Sequence, residues 1–354
     1  MNKGIALFLV VVFLAACCVT FQPAKAEPRR IVVPDDYEFI QAAVNAAADG
    51  DVVYVKAGSY PENVEVWKPI SLVGEDIDGT RITGSPVEKA LWPLTIACSG
   101  VSVTGFSLVD SWVGIYVAGA HDCVISGNKI LNNHYGIMLT SASGNTITEN
   151  VIESVKSGAI GIEVRDTSTF PHAAAITLQN NSIVDNTITH CSGTAIAFGL
   201  TKNNLVAGNT ISNCGVALSL GWTTNNTIYH NNFIDNTKLS PGGPQPAWWE
   251  SNEIWYSTSR WDNGTEGNFW SNYNGADADG DGIGDTPYTV NENNTDNYPL
   301  MNQYATPAFT ASSADPSLPF PNIQVIAVIA AVTVASVGLF VFAKKYWLRW
   351  NVNA

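Results

Sequence analysis

Apolar and polar positions repeat with a long period between Cys123 and Thr237. Five segments there place an aliphatic residue three positions before an Asn and a large apolar residue two positions after it. At successive intervals of 22, 36, 23 and 22 residues, these are Asn128, Asn150, Asn186, Asn209 and Asn231. Such a period is typical of a solenoid, in which each repeat buries its apolar face against its neighbours.

The spacing within each repeat indicates the kind of solenoid. Apolar residues alternate over short runs, as in the sequence VALSL beginning at Val216, and no 3.6-residue period occurs between Val101 and Thr237,. About 22 residues accommodate three short strands and three bends, so the pattern predicts an all-β fold, a right-handed parallel β-helix. Asn side chains at one bend, roughly 4.8 Å apart in successive turns, would form a buried structural ladder.

Residues 27–237 are predicted to contain an N-terminal cap followed by the β-helix. Asp35 and Glu38 fit a capping box at the start of an α-helix. The apolar face of this helix would contain Phe39, Ile40, Ala43, Val44 and Ala47. A helix in this place would cover the apolar layer that the first turn leaves exposed.

Two segments resemble a known family. The sequence IQAAVNAAADGDVVYVKAGSYPENVEV, followed by KPISLVGED, resembles the first turns of the pectin-lyase-like superfamily, and within it the NosD-type surface proteins. The sequence GNFWSNYNGADADGDGIGDTPYTV, with DNYPL after it, resembles the end of the helical domain in that group. The resemblance covers residues 31–302 and implies a parallel β-helix with a carbohydrate-binding or sugar-hydrolysing role; it indicates fold more specifically than activity.

Residues 238–304 are predicted to form a C-terminal cap rich in aromatic and acidic residues. Its rings would either cover the last turn or form a flat platform on which sugars stack. The aromatic residues include Trp248, Trp249, Trp255, Trp261, Phe269 and Trp270.

The long interval between Asn150 and Asn186 contains an insertion of about 14 residues, which a β-helix would expel as a side loop. Phe170 and His172 in this loop are candidate ligand contacts, although the sequence favours a loop without a binding role.

The sequence DADGDGIGD, beginning at Asp277, predicts a calcium loop. Carboxylates alternate along it and a Gly follows at the sixth position, as in the start of an EF-hand. The candidate ligands are Asp277, Asp279, Asp281, the main-chain carbonyl of Ile283, and Asp285. The twelfth position, Tyr288, lacks the usual Glu, so another acid such as Asp296 would have to complete the ligand set. The role of this calcium would be structural.

Two acids are candidates for catalysis. Glu149 and Asp185 directly precede ladder Asn residues in consecutive turns and would stand about 5 Å apart, near the spacing of a retaining glycosidase pair. His190 and His230 are expected near them. The same column contains Gly127 and Gly208, which favours the alternative of a solvent-exposed bend.

Cysteine and histidine spacing gives weaker indications. Cys191 and Cys214 each lie five residues after a ladder Asn, so they stack in adjacent turns as a disulfide or as a column of buried thiols. Cys98 and Cys123 are the other cysteines after residue 26. The resemblance alone implies copper, which the sequence does not favour because its histidines are scattered. They are His121, His134, His172, His190 and His230.

The two ends of the chain predict a membrane-anchored surface protein. Residues 1–26 resemble a signal peptide, with lipidation at Cys17 as an alternative. Residues 305–322 read as a linker and 323–343 as a transmembrane helix. Residues 344–354 would be a cytoplasmic tail, because Lys344, Lys345 and Arg349 follow the apolar segment. Asn180, Asn225, Asn263 and Asn293 begin glycosylation sequons,.

The charge of the chain argues against nucleic acid as a partner. The formal net charge is −14, and all 31 acidic residues lie between Glu27 and Asp315. Binding to nucleic acid, which requires Lys and Arg for the phosphates, is therefore not expected. The sequence predicts a cell-surface module that binds polysaccharide or surface glycan without catalysis, or that is a structural part of the cell envelope. A polysaccharide-active enzyme and a metal-handling accessory protein are the alternatives.

Overall fold

A parallel β-helix occupies the part of the chain that the computed structural model describes, residues 27–83, 92–153, 160–165, 178–221, 223–240 and 258–305. Each turn passes through three sheets, which we call A, B and C in chain order. The polypeptide bends between them at a first bend (A to B), a second bend (B to C) and a third bend (C to A). The predicted all-β solenoid is confirmed.

The strands of successive turns stack in register. Sheet A contains Arg30–Val33, Val52–Val55, Ser71–Gly74, Ser102–Thr104, Val124–Ser126, Thr146–Thr148, Leu178–Gln179, Ser182–Val184, Thr201–Lys202, Leu205–Ala207, Thr224–Tyr229 and Thr258–Arg260. Sheet B contains Gly58–Tyr60, Thr80–Ile82, Ser107–Val109, Lys129–Leu131, Val151–Glu153, Thr187–Thr189, Thr210–Ser212, Asn232–Ile234 and Phe269–Trp270. Sheet C contains Val64–Val66, Leu94–Ile96, Val113–Ala118, Tyr135–Thr140, Ile160–Arg165, Thr194–Gly199, Val216–Gly221 and Lys238–Ser240. The strands Tyr288–Asn291 and Asn294–Asp296 form a separate antiparallel hairpin.

The two apolar columns that define the repeat lie inside the coil. Ile125 pairs with Ile147 in sheet A, and Ile130 pairs with Ile152 in sheet B. The same columns continue through the later turns with matching register. These side chains are fully buried, because alternate residues of each strand point into the coil,. The predicted alternation therefore identified the core.

An α-helix, Ile40–Ala46, packs beside the first strands. Its buried face contains Ile40, Ala43 and Val44 as predicted, but Phe39 is 53% exposed. The predicted capping box is wrong, because the residue before the helix is Phe39 and no local side chain caps it. Instead the carboxylate of Glu62 accepts hydrogen bonds from the N–H groups of Ile40 (2.9 Å) and Gln41 (3.1 Å). Tertiary structure supplies a cap from the following turn.

The coil extends beyond Thr237, where the sequence repeat becomes unrecognisable. Thr258–Arg260 pairs with the preceding strand of sheet A, and Phe269–Trp270 pairs with Asn232–Ile234 in sheet B. Trp261 and Trp270 are buried, and Trp270 stacks on Phe233 with a centroid distance of 4.5 Å. These two rings therefore belong to the core of the last turn and are not open to a sugar.

Several predictions fall outside the described residues. They are the signal peptide with Cys17, the loop with Phe170 and His172, the residues Trp248, Trp249 and Trp255, the linker after residue 305, the segment 323–343 and the tail 344–354. Among the residues that are described, no helix has the length and apolar character needed to cross a membrane.

Candidate functional site

The first bend contains the predicted Asn ladder. The side-chain oxygen of Asn186 accepts hydrogen bonds from both the backbone N–H and the side-chain amide of Asn150, each at 3.0 Å. The same pair of bonds joins each ladder Asn from Asn128 to Asn231 to the next, and Asn268 extends the series by one turn. The structural role predicted for these residues is confirmed.

A buried carboxylate ends this ladder. Asp296 accepts hydrogen bonds from the backbone N–H of Asn268 (2.8 Å), the indole of Trp270 (2.9 Å) and the N–H of Tyr298 (3.1 Å). Burial raises the pKa of Asp296 to about 6, although these donors oppose the shift. Because the oxygens of Asp296 accept these hydrogen bonds, the prediction that Asp296 completes the ligand set of the acidic loop is wrong.

A second ladder, at the third bend, was missed. Its members are Asn145, Asn181, Asn204 and Asn226, which are joined by the same double hydrogen bonds. Each lies five residues before an Asn of the first ladder. That constant spacing was the signal in the sequence that identifies it.

Residues that directly precede the first ladder adopt left-handed backbone conformations. Gly127 and Gly208 have φ of 60° and 67°, and Glu149 and Asp185 both have φ of 55°. A side chain at Gly208 would collide with the carboxylate of Asp185, so that carboxylate lies over the glycine of the next turn. The column is therefore a bend on the outside of the coil, as the Gly residues in it suggested.

The structure places Glu149 and Asp185 in the same column of consecutive turns. Burial and the charge of Glu149 raise the pKa of Asp185. Burial, Tyr304 and Asp185 likewise raise the pKa of Tyr229. His190 does not join this group, because its Nδ1 lies 4.0 Å from Glu153 at the second bend.

His230 lies further along the same column. Its ring stacks on Tyr304 with centroids 4.1 Å apart, and it contacts Tyr229 edge-on at 4.8 Å. The Nε2 atom is 2.7 Å from a carboxylate oxygen of Glu266. The side chain of Asn232 holds Tyr304 through two hydrogen bonds to its main chain, of 2.7 and 3.0 Å. Aromatic rings and carboxylates therefore share the first bend.

A second aromatic group lies at the second bend, on the start of sheet C. We call it the aromatic ridge: Trp92, Trp112, Tyr116, His134 and Tyr135. Trp112 stacks on His134 (3.9 Å, 14°), and Trp92 stacks on Tyr116 (5.0 Å, 29°). The two tryptophans are 47% and 43% exposed. The sequence signal for it was the position of Trp112 and His134 one turn apart, 22 residues.

The pairing of sheet C places the ridge on adjacent turns. Leu94 pairs with Ile115, and Val113 pairs with Tyr135. Trp92 and Trp112 therefore lie in adjacent turns, near the beginnings of consecutive strands of sheet C. The phenol of Tyr116 also hydrogen-bonds to Thr140 at 2.8 Å, which fixes the ring under Trp92.

The acidic loop brings three of its predicted ligands together. Ligand oxygens of Asp277, Asp279 and Asp281 lie within 4.8 Å of one another. Gly280 and Gly282 have φ of 75° and 89°, so the bend expected at Gly282 is present. Carboxylates of the loop also accept backbone N–H groups, including Gly280 to Asp277 (2.8 Å).

The remaining predicted ligands are arranged differently. Asp285 is outside the trio and accepts a hydrogen bond from the N–H of Ala278 at 2.8 Å. Ile283 bridges to Leu300 and donates its N–H to Asp281. The loop therefore offers a cluster of oxygens, with Asp285 and Ile283 beside it.

In the described part of the chain, the histidines and cysteines form no group of three candidate metal ligands. Within the described ranges, the only trio of candidate ligand atoms this close together is the oxygen cluster of the acidic loop. Copper favours imidazole and thiolate donors over carboxylates alone. The cysteines of the described chain, Cys98, Cys123, Cys191 and Cys214, form no disulfide bond. A hydrogen bond with Cys191 lowers the pKa of Cys214, so these two do stack as a thiol column.

Similarity to curated proteins covers parts of the chain. A cell surface glycoprotein of Methanothermus fervidus is 26% identical over 134 residues, which are 37% of this chain and 21% of the relative. Pectinesterase 2 of Citrus sinensis is 36% identical over 107 residues, 30% of this chain and 19% of the relative. The aligned part spans about a fifth of the length of each relative.

Solved structures and a family profile extend this picture. An alginate lyase from Paenibacillus sp. has 14% identity and a TM-score of 0.44, covering 65% of this chain and 93% of the lyase. The pectate lyase Pel9A has 11% identity and a TM-score of 0.39, covering 71% and 95%. The profile of the family described as periplasmic copper-binding protein (NosD) matches residues 44–275. The chain therefore belongs to the NosD family.

Proposed function

We propose that this protein binds a polysaccharide or surface glycan outside the cell, through the aromatic ridge and without catalysis. The observation that carries the proposal is the pair of tryptophans, each seated on another ring and each nearly half exposed. Flat apolar ring faces complement the apolar faces of sugars, and neighbouring polar groups orient them.

The geometry of the ridge suits binding because its rings are already fixed. His134 lies beneath Trp112, and Tyr116, which Thr140 holds, lies beneath Trp92. A side chain that is ordered before binding loses little rotamer freedom when the ligand arrives, so affinity is higher. The two tryptophans also lie in adjacent turns, so a chain of several sugars could contact both.

Related proteins support this location and ligand class. One relative is named a cell surface glycoprotein, and another is named a pectinesterase. The acidic composition is consistent with an exterior protein and disfavours nucleic acid as a ligand,.

A glycan array probed with the full-length protein in detergent tests the proposal. Trp112→Ala should weaken binding about tenfold, since one aromatic contact contributes about 1 to 1.5 kcal/mol. Trp67→Ala is the matched control, because Trp67 is 50% exposed but lies outside the ridge. Equal losses in both variants, or no glycan bound by the wild type, would overturn the proposal.

We also propose that the acidic loop holds a structural calcium ion. Three carboxylates converge there, and a hard cation would relieve their mutual repulsion,. Calcium should raise the melting temperature and EDTA should lower it, and Asp279→Asn should abolish the difference. Identical melting in calcium and EDTA would remove the claim.

The membrane anchor is a further part of this proposal, supported by the apolar sequence of residues 323–343 and the basic residues after it,. Deleting residues 323–354 should release the protein from the membrane fraction into the medium. Retention of the shortened chain in that fraction would contradict the anchor.

A further inference from the structure

We infer that the first bend binds the ammonium group of a cationic glycan, one that contains amino sugars. We call this place the acidic bend site: Glu149, Asp185, Tyr229, His230 and Tyr304. The inference rests on the proposed glycan binding and names the class of glycan. It comes from a group of charges and rings that the aromatic ridge does not use.

In the part of the chain that the structure describes, the carboxylates of the site have no positive partner. In the described ranges, neither Glu149 nor Asp185 takes part in an ion pair. Asp185 lies over Gly208, half-buried, with the charge of Glu149 beside it. Two like charges in one column are unfavourable unless a cation joins them.

The rings of the site are held in place at His230, two turns beyond Asp185 in the same column. Tyr304 is fixed by Asn232 and stacks on His230, and Tyr229 meets His230 edge-on. The charge of Asp185 acts on both tyrosines, which places their phenols in its field. A ring face beside a carboxylate is the environment that an organic ammonium group prefers.

A bare metal ion fits these residues less well. Calcium takes six to eight oxygen ligands, whereas the site offers two carboxylates, because Glu266 is engaged by His230,. The site also does not bring three candidate ligand atoms as close together as the acidic loop does. A uronate-rich glycan would be repelled by the same carboxylates. A ligand with positive nitrogen and a sugar body satisfies both the acids and the rings.

The acidic bend site and the aromatic ridge border the same surface. The strands of sheet B are three residues long in this region, about 10 Å, and connect the first bend to the second,. Glu149 lies in the turn directly after that of His134. A glycan that lies across sheet B can therefore contact the ridge with a sugar face and the acids with an amino group.

The test compares two hexasaccharides that differ in charge. One is a glucosamine hexamer whose nitrogens are trimethylated and permanently positive, and the other is the N-acetylglucosamine hexamer. Calorimetry with the full-length protein should show the cationic hexamer binding about tenfold more tightly, as one desolvated cation–π and carboxylate contact implies. Asp185→Asn should remove this preference, and Tyr304→Leu should reduce it.

Asp122→Asn is the matched control. Asp122 also has a left-handed backbone (φ 55°), and its carboxylate also lies over a glycine of the next turn, Gly144, but it sits at the third bend. The control should keep the preference. Equal binding of the two hexamers, or a preference that Asp185→Asn leaves intact, would overturn the inference.

The same titrations separate this inference from the proposed function. Binding of the neutral hexamer that is lost in Trp112→Ala supports the ridge whatever the cationic hexamer does. If the wild-type protein binds the neutral hexamer but shows no preference for the cationic one, the acidic bend site is overturned and the aromatic ridge is not. If the cationic preference persists in Trp112→Ala and vanishes in Asp185→Asn, the acidic bend site acts without the ridge.

Discussion

The first and second bends of the coil differ in the residues at their inward-facing positions. At the first bend an amide occupies the inward position of every turn from Asn128 to Asn268, and Asp296 ends the series. At the second bend the equivalent position changes from turn to turn. Its residues include Ser111, Asn133, Cys191, Cys214 and Asn236. Both columns are inside the coil, yet only one is uniform.

The difference lies in the side chains of the two columns, because their main-chain hydrogen bonds follow the same pattern. At the first bend each N–H bonds to an Asn side chain of the next turn. At the second bend the N–H of Cys214 likewise bonds to the side chain of Asn236 (3.0 Å), and Gly215 donates to the main-chain carbonyl of Cys191 (2.9 Å) as Thr210 does to that of Asn186 (2.9 Å), but thiols replace the amides at Cys191 and Cys214. The thiol of Cys214 donates to the carbonyl of Ser212 (3.2 Å). The buried N–H groups of every bend need hydrogen-bond acceptors, and a continuous Asn ladder is one way to provide them.

Removing one amide of the first ladder should have the largest effect. Asn209 accepts two hydrogen bonds from Asn186 and donates to the carbonyls of Ile183 and Ala207. Asn209→Ala should lower the free energy of unfolding by about 3 to 5 kcal/mol, because several buried groups lose their partners at once. Urea denaturation followed by circular dichroism measures this. A loss below about 1 kcal/mol would mean that the ladder is dispensable.

How the first ladder ends gives a prediction about pH. Burial holds the pKa of Asp296 at about 6, above the ordinary 3.8. The folded protein therefore binds this proton more tightly than the unfolded chain does, and stability falls as the pH rises from about 4 to above 6. Asp296→Asn has no proton to lose.

Relative to that variant, wild-type protein should lose about 2 kcal/mol of unfolding free energy between pH 4 and pH 7. Denaturation of both proteins at several pH values gives the difference directly, and charges common to the two cancel. A difference that stays constant with pH would show that Asp296 is ionised at its ordinary pKa in the folded chain.

Features that recur along the sequence could be predicted from it. Hydrogen-bonding side chains that come from distant parts of the sequence could not. Ile125 and Asn128 recur at a fixed offset, so the coil, the inward columns and the first ladder could be read directly. Glu62 caps a helix 22 residues earlier, which local capping rules do not detect. Asp296 reaches the ladder from a hairpin 28 residues beyond Asn268, and no repeat marks it.

The candidate sites divide in the same way. The acidic loop is contiguous, so its three converging carboxylates were predicted from Asp277 onward. The pair of Glu149 and Asp185 followed from the repeat. His230 was expected near this pair, but Tyr229 and Tyr304 were missed, because hydrogen bonds from Asn232 bring Tyr304 to His230 from a distant part of the sequence. Contacts made by a returning chain segment leave no periodic signal.

The second bend should tolerate a change that the first does not. Cys214→Ala removes a buried thiol and leaves a small cavity, which costs about 1 to 2 kcal/mol of unfolding free energy. Its own N–H keeps the acceptor on Asn236, and the donors of Cys191 lose only a thiol, which is a weak acceptor,. Cys214 and Asn209 lie in the same turn, which makes the two alanine variants a matched pair in one denaturation experiment. A loss in Cys214→Ala as large as in Asn209→Ala would show that the two bends are energetically alike.

The smallest loss of stability is expected at the start of the α-helix, where a side chain from a neighbouring turn accepts hydrogen bonds from the first N–H groups of the helix. Glu62→Gln replaces a carboxylate that accepts from both Ile40 and Gln41 with an amide that has a single acceptor oxygen,. The unfolding free energy should fall by about 1 kcal/mol, since the helix start is partly open to water and can recruit solvent. Gln41→Ala, which keeps both backbone N–H groups, is the control for side-chain loss at this place. A loss of unfolding free energy in Glu62→Gln as large as in Asn209→Ala would mean that acceptors at the edge of the coil contribute as much stability as those inside it. The contrast between the two bends would then reflect the type of side chain rather than its burial.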